Sequence, residues 1–538
     1  MKFSNILFLF IITGLLALPA SYEPHHFAKA LLVGALMQSF AYGSIMLLVA
    51  RRWRWLKRLL FTVVYILFCV ETFLFLRFGS RLDPNMLTMA LQTNMHEAGE
   101  FVSIYLVSLF TLVFLIVAIG IWSAVYQGLD TEKNVVCLTR WAMPIKCGIA
   151  FLAITGLAMP FIQLPFPLGE NTFNRACSSF AFVIERHGEV DKMTKTIDKI
   201  EVTHYPDETN APVIVLVIGE SFNKMHSSLY GYDLPTSPNL ENEQRKGQLL
   251  VYDKAMSPTN GTDHAMRYIF SLKGCEPADT TYRQYVLFPA VFKKAGYRVA
   301  YFDNQYTRSS GGSLDYSCGY FLNPQYINDN CFDFRNSETR IYDGDFVALY
   351  KHKFLKQAKS LNIIHLMGQH FDARLRYPTD GFSRFTYSDI KRSDLRDRER
   401  RQVADYDNAT LYNDYVVNEI ICSFKDCNTV VVYLSDHGEQ VYEGPNRYFG
   451  RGFGSSEDPI TVKSVYEVPF MLWCSDTFIK SNSSKFAALR RASNQRLCTA
   501  DLAYLLFDLA DIDFNYNVKS KSCIDKMYRP HLTKISNE

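Results

Sequence analysis

Apolar residues are spread unevenly along this chain. Up to about residue 165 they come in long runs, and beyond it in short clusters separated by polar turns. Five early runs, at about 5–22, 27–50, 59–79, 101–126 and 146–164, are long enough for helices across a bilayer, which takes about 20 residues. The later clusters differ in kind. APVIVLVIGES (Ala211 to Ser221) is a continuous β-branched run without alternation, the pattern of a strand covered on both faces of a parallel sheet. YRVAYFDN (Tyr297 to Asn304), LNIIHLMGQH (Leu361 to His370) and NTVVVYLSDHGE (Asn428 to Glu439) repeat it, and EVPFMLWC (Glu467 to Cys474) reads as a fifth strand. Helical segments such as QYVLFPAVFKKAG and YDNATLYNDYVVNEIICSF lie between them. This alternation predicts an α/β domain with a mostly parallel central sheet over 211–538, behind an α-helical membrane domain over 1–165. The polar, aperiodic stretch around 185–210 reads as a linker, giving a connecting segment over 166–210.

Charge placement orients the membrane domain. RRWRWLKR (Arg51 to Arg58) carries five positive charges and no acid, and it belongs on the cytoplasmic side. Lys2, Lys133, Arg140 and Lys146 fall on that side too if five helices alternate, which puts everything after the fifth helix outside. The first run also resembles a secretory leader, but Leu18 is a poor match to the small residue a cleavage site needs, so an uncleaved helix is the better reading. A net charge of +3 with 48% hydrophobic residues fits a membrane anchor joined to an enzyme and gives no sign of a nucleic-acid binder.

Candidate chemistry gathers where the strands end, since open parallel sheets bind ligands at their carboxyl edges. Three strands end in metal-binding types: Glu220-Ser221, Gln369-His370 and Asp436-His437. Carboxylate with imidazole suits zinc. Each could be an ordinary surface polar residue, and it is their joint position at one sheet edge that marks a site. Thr262, in AMSPTNGTDHAMRYIFS, is the hydroxyl candidate at a helix start, either as a metal-activated nucleophile or simply as the N-cap of a helix from Asp263 onward. In the outward loop Asp83 to Phe101, Thr93 and Glu97 lie four apart, and composition alone favours a plain amphipathic connector. Of twelve cysteines, Cys318 with Cys331 and Cys422 with Cys427 flank short polar loops, for which loop-closing disulfides are the better reading than free thiols.

VIGESFNKMHSSLYGYDLPTSPNL (Val217 to Leu240), YDNATLYNDYVV (Tyr406 to Val417), VVYLSDHGE and EVPFMLW together resemble the phosphoethanolamine transferases of Gram-negative inner membranes, relatives of alkaline phosphatases and sulfatases. The resemblance runs over nearly the whole chain and implies five transmembrane helices before a periplasmic, alkaline-phosphatase-like domain. It implies zinc held by Glu220, Thr262, Asp436 and His437, with Thr262 carrying phosphoethanolamine between a phosphatidylethanolamine donor and an acceptor such as lipid A, lipopolysaccharide core or periplasmic glucan. His370 matches a family histidine near the phosphate, and His365 is its companion. Thr93 and Glu97 take the place of polar residues that help bind the lipid donor, which reverses the plain reading of that loop. The two cysteine pairs also resemble the family's loop disulfides. Two features depart from the pattern. RYFGRGFGSSED (Arg447 to Asp458) lacks a histidine that many members carry there, and a lysine expected after the third strand is replaced at best by Arg308. The rival readings are a glycerol-phosphate transferase of the lipoteichoic acid synthase type, which the SLYGY segment disfavours, and a non-catalytic membrane protein on the same fold, which the four site residues disfavour.

Overall fold

The computed structural model describes residues 54–78, 109–128, 188–207, 210–275, 282–306, 319–443, 449–450 and 459–530. The chain divides into two units, Met1–Gly188 and Glu189–Glu538.

In the first unit, helices α1 (Arg54–Phe78) and α2 (Leu109–Gly128) pack against each other. The Tyr65 hydroxyl donates to the Ala118 carbonyl at 2.7 Å, and the Trp122 indole N–H donates to the Thr62 hydroxyl at 3.2 Å. Their outward faces are apolar, with Leu59, Ile66 and Val70 exposed on α1 and Leu112, Ile116 and Ile119 exposed on α2. That is the reverse of the polar face a helix normally shows to water. Among the described residues no helix is long and apolar enough to cross a membrane. The two helices coincide with the third and fourth of the five expected runs. The runs at 5–22, 27–50 and 146–164 lie outside the described residues, as do Thr93 and Glu97.

The second unit is built on a seven-stranded sheet of β1 (Val213–Gly219), β2 (Leu249–Tyr252), β3 (Arg298–Asp303), β4 (Phe334–Arg335), β5 (Ser360–His365), β6 (Thr429–Ser435) and β7 (Phe470–Cys474), in the order β2-β7-β6-β1-β5-β3-β4. Pairing is parallel from β4 across to β6, while β7 runs antiparallel to both of its neighbours. The unbroken apolar runs follow from coverage on both faces. Ile214, Leu216 and Ile218 of β1 enter one core, and Val213, Val215 and Val217 enter the other. Helix α4 (Asp397–Phe424) covers the second face, after α3 (Thr262–Phe270), and α5 (Leu502–Ala510) packs into the first.

The segment expected to be a linker is partly domain. Residues 188–198 form a helix whose Met193 and Ile197 are buried in the first core together with Ile200, and Val202–His204 pairs antiparallel with Asp513–Phe514. Its apolar positions are sparse but fall three to four apart, which is enough for one buried stripe.

Candidate active site

β1 and β6 are adjacent and parallel, and their last register pair is Gly219 with Ser435. The next residues on each strand, Glu220 and then Asp436 and His437, therefore emerge side by side at the carboxyl edge. All three are fully buried, and one potential ligand atom from each lies within 4.8 Å of the others. Thr262 Oγ1 joins them, donating to Glu220 Oε2 at 3.1 Å and lying 3.2 Å from His437 Nε2. The surrounding bonds orient each donor. His437 Nδ1 donates to the Gly438 carbonyl at 2.8 Å, so its Nε2 keeps a lone pair for the centre. Asp436 Oδ1 accepts the backbone N–H groups of Ser221 and His437, at 3.1 and 2.7 Å, while Oδ2 lies 3.1 Å from His437 Nε2. Two carboxylates so close in a dry pocket repel unless a cation sits between them. Two carboxylates, one hydroxyl and one imidazole nitrogen form a donor set that fits zinc.

Thr262 is the first residue of α3, and the cap position belongs to Gly261, which makes no side-chain cap bond. The N-cap reading is thus displaced by one residue, and the threonine hydroxyl serves the cluster instead. Ser257 fastens the approach to this helix by donating to the Asp436 carbonyl at 2.6 Å.

The turn after β5 closes on Glu220 from the other side. Gly368 has φ +49°, and a Cβ there would meet the Glu220 backbone N and O at 2.8 Å, so a side chain would displace the Glu220 backbone. Asp343 pins the turn by accepting the Met367 and Gly368 N–H groups, both at 2.9 Å. Gln305 donates to Glu220 Oε2 at 3.1 Å and to the Leu366 carbonyl at 2.9 Å, fixing the Glu220 rotamer. Neither Asp343 nor Gln305 stood out in the sequence; the signal available for Gln305 was DNQ directly after an apolar strand. His370 lies in the same turn, with Nδ1 2.8 Å from the Phe371 carbonyl. His365 lies deeper in the sheet. It is fully buried on β5 with Nδ1 3.0 Å from Asp303 Oδ1, its register partner on β3. Burial disfavours both charges, but their pairing outweighs it, so Asp303 is held below and His365 above its ordinary range.

The quoted motifs meet one another behind this site. Tyr232 of the YGY segment donates to Asp407 Oδ2 at 2.9 Å, and Asp414 accepts the Asn239 and Leu240 N–H groups of TSPNL at 3.0 and 2.9 Å. His226 bridges two buried carboxylates, with Nδ1 2.7 Å from Asp407 and Nε2 2.8 Å from Glu443. Tyr406 ties this layer to the Glu220-Ser221 turn by donating to the Ser221 carbonyl at 2.5 Å. Burial alone would lower the His226 pKa, but the two carboxylates raise it to about 10, from an ordinary value of 6.5. The folded protein thus holds a proton that the unfolded chain releases above 6.5. Stability from this group is complete below pH 6.5 and is lost as pH rises through about 10. His226→Gln is expected to cost roughly 3–5 kcal/mol, because the carboxylates remain buried without their partner. It should also flatten the fall in Tm across that window. Parallel Tm curves for the two proteins from pH 6 to about 10 would refute the bridge.

Arg308 and Cys318, and with the latter the Cys318–Cys331 pairing, lie outside the described residues, as do 447–448 and 451–458 of the histidine-free segment. Cys422 and Cys427 carry no bond to each other in this structure. α4 continues through Phe424, which leaves Cys422 on an exposed helical surface while Cys427 turns in to pack on the second core.

Residues 212–512 match the sulfatase family model, and residues 40–171 match the model described as phosphoethanolamine transferase EptA/EptB. The chain is 26% identical over 483 residues to phosphoethanolamine transferase EptC of Escherichia coli K12, covering 86% of this chain and 80% of that protein. The integral membrane lipooligosaccharide phosphoethanolamine transferase A of Neisseria meningitidis superposes with a TM-score of 0.68 at 17% identity, over 97% of this chain and 98% of that one. The periplasmic domain of E. coli EptC, solved in complex with zinc, superposes with a TM-score of 0.52 at 24% identity, over 61% of this chain and 91% of that one.

Proposed function

The chain belongs to the phosphoethanolamine transferases of the sulfatase family, and from that premise we propose that it moves phosphoethanolamine from phosphatidylethanolamine to an envelope glycan by way of Thr262. The observation that carries the reading is the Thr262 hydroxyl, set 3.1 Å from Glu220 and 3.2 Å from His437 at the start of a helix. Glu220, Thr262, Asp436 and His437 would hold zinc, which when bound acts as a Lewis acid that lowers the hydroxyl's pKa and offsets charge on phosphoryl oxygens.

Thr262 Oγ1 gives up its proton and attacks the donor phosphorus, and the bond from phosphorus to the diacylglycerol oxygen breaks. The departing oxygen takes a proton, and diacylglycerol leaves. The N-terminal N–H groups of α3 face the added phosphate charge. In the second half, an acceptor hydroxyl or phosphate attacks the same phosphorus and frees Thr262. His370, in the turn that closes on Glu220, is the group assigned to proton exchange with the leaving and entering oxygens. Thr93, Glu97 and Arg308 are assigned to the lipid and phosphate ends of the donor. The acceptor class is an anionic envelope glycan such as lipid A, in keeping with a relative that is named for lipooligosaccharide. The apolar runs before residue 165 anchor the enzyme in the inner membrane as five helices, with the catalytic unit in the periplasm.

Detergent-purified enzyme given phosphatidylethanolamine or phosphatidylglycerol in separate micelles tests the donor. Diacylglycerol release from phosphatidylethanolamine alone is expected. Release from phosphatidylglycerol alone would overturn the assignment in favour of glycerol-phosphate transfer.

A further inference from the structure

Two cysteines that the loop-spacing argument left aside lie against each other. Cys275 Sγ and Cys498 Sγ are 3.4 Å apart, both are buried, and both are free thiols. The two are 223 positions apart in sequence, so no local pattern announces them. Their surroundings tie both to the nucleophile. Cys275 follows α3, the helix that begins at Thr262, by five residues. Cys498 ends the short strand Leu497–Cys498, which pairs in parallel with Ala255–Met256, the strand leading into the Thr262 loop. The pair thus spans the exit of the nucleophile segment and the strand beside its entrance. Tyr268 of α3 and Ala500 pack around the sulfurs, and the Tyr528 hydroxyl accepts the Cys498 N–H at 3.2 Å.

We propose that Cys275 and Cys498 are joined by a disulfide in the working enzyme, clamping the nucleophile segment to the C-terminal part of the domain. The inference rests on the reading that places this unit in an oxidising compartment outside the cytoplasmic membrane. The sulfurs, 3.4 Å apart, need approach by only about 1.4 Å to reach the bonded length of about 2.0 Å. The chemistry balances with a disulfide-bearing oxidoreductase as oxidant. One cysteine thiolate attacks a sulfur of the carrier's disulfide and gives a mixed disulfide, with one carrier thiolate leaving. The second cysteine thiolate then displaces the carrier, which departs as a dithiol, so the two protons and two electrons of the cysteines end on the carrier. The exchange belongs to folding, before the pair is sealed. Once folded, the hydrogen bond to Cys275 and burial hold the Cys498 thiol far above its ordinary pKa, where thiolate is scarce.

The test uses the full chain, exported to the periplasm and purified in detergent without reductant. It is denatured in an alkylating agent and digested, and linked peptides are read by mass spectrometry. A Cys275–Cys498 linked peptide as the main form is expected. Both cysteines alkylated, in protein that still releases diacylglycerol and whose C-terminal reporter fusion reads as periplasmic, would overturn the bond and leave the transferase reading intact. A reporter that reads as cytoplasmic fails the compartment reading. In that case purified protein refolded with oxidised glutathione decides, and free thiols there also overturn the proposal. The conservative pair Cys275→Ser with Cys498→Ser supplies the functional readout. Its half-life at elevated temperature should shorten about tenfold or more, and amide exchange over 262–270 should quicken by a similar factor. Unchanged exchange in that helix would contradict the clamp.

Discussion

Thr262→Ala is expected to lower phosphoethanolamine transfer by about 10⁴-fold or more while leaving the fold in place. The size of the loss follows from the hydroxyl's role as the atom that bonds to phosphorus, since removing a nucleophile that works as part of a unit forfeits most of the rate the whole unit supplies. Retention of the fold follows from local structure. Gly261, not Thr262, occupies the cap of α3, and that helix is held by Ala265, Met266, Ile269 and Phe270, all buried. The variant should lose no more than about 1 kcal/mol of stability, the range of a lost partly buried hydrogen bond. Thr262→Ser keeps a hydroxyl on the same helical position and should retain measurable turnover. Steady-state diacylglycerol release by the three proteins, with Tm for each, is the check. Alanine activity within tenfold of the native protein would remove Thr262 from the chemistry.

Stripping the metal is expected to have the second-largest effect, and on stability as well as rate. Glu220 and Asp436 are fully buried with potential ligand atoms within 4.8 Å of each other and of His437. Without a cation, burial and mutual repulsion act on the same pair of carboxylates. Zinc at 100 to 1,000 times its Kd would add about 3–4 kcal/mol to folding. Chelation should therefore lower Tm by several degrees, take activity to background, and be reversed by zinc. Asp436→Asn should bind zinc at least about 100-fold more weakly, because it loses a charge as well as a ligand whose other oxygen is already fixed by two backbone N–H groups. Metal content by mass spectrometry, alongside Tm and turnover, tests this. A chelated protein with unchanged Tm and full activity would contradict the metal centre.

What the sequence disclosed, and what it withheld, divides on physical lines. β1, β5 and β6 were legible because burial on both faces leaves no polar position to break the run, and Glu220, Asp436 and His437 were legible because charge directly after such a run needs a partner. β2 and β4 were not foreseen, having four and two residues, too few to show a period. The reversal of β7 was equally hidden, since an apolar strand reads the same in either direction. Gln305 and Asp343 escaped because a polar residue after a strand is commonplace until its partner is known, and Glu220 lies 85 positions from Gln305. His226 escaped for the same reason, with carboxylates 181 and 217 positions away. Cysteine spacing favoured Cys422 with Cys427, whereas the close thiols are 223 positions apart. Nearness in sequence says little about a side chain once a helix has turned it outward.

Covalent capture on Thr262 is the central claim, and intact-mass analysis of detergent-purified enzyme incubated with phosphatidylethanolamine in the absence of acceptor tests it most directly. The account predicts a phosphoethanolamine-sized adduct on the native protein, mapped to Thr262 and absent from Thr262→Ala. An adduct of equal yield on the alanine variant, or diacylglycerol release by a native protein that never gains mass, would contradict it.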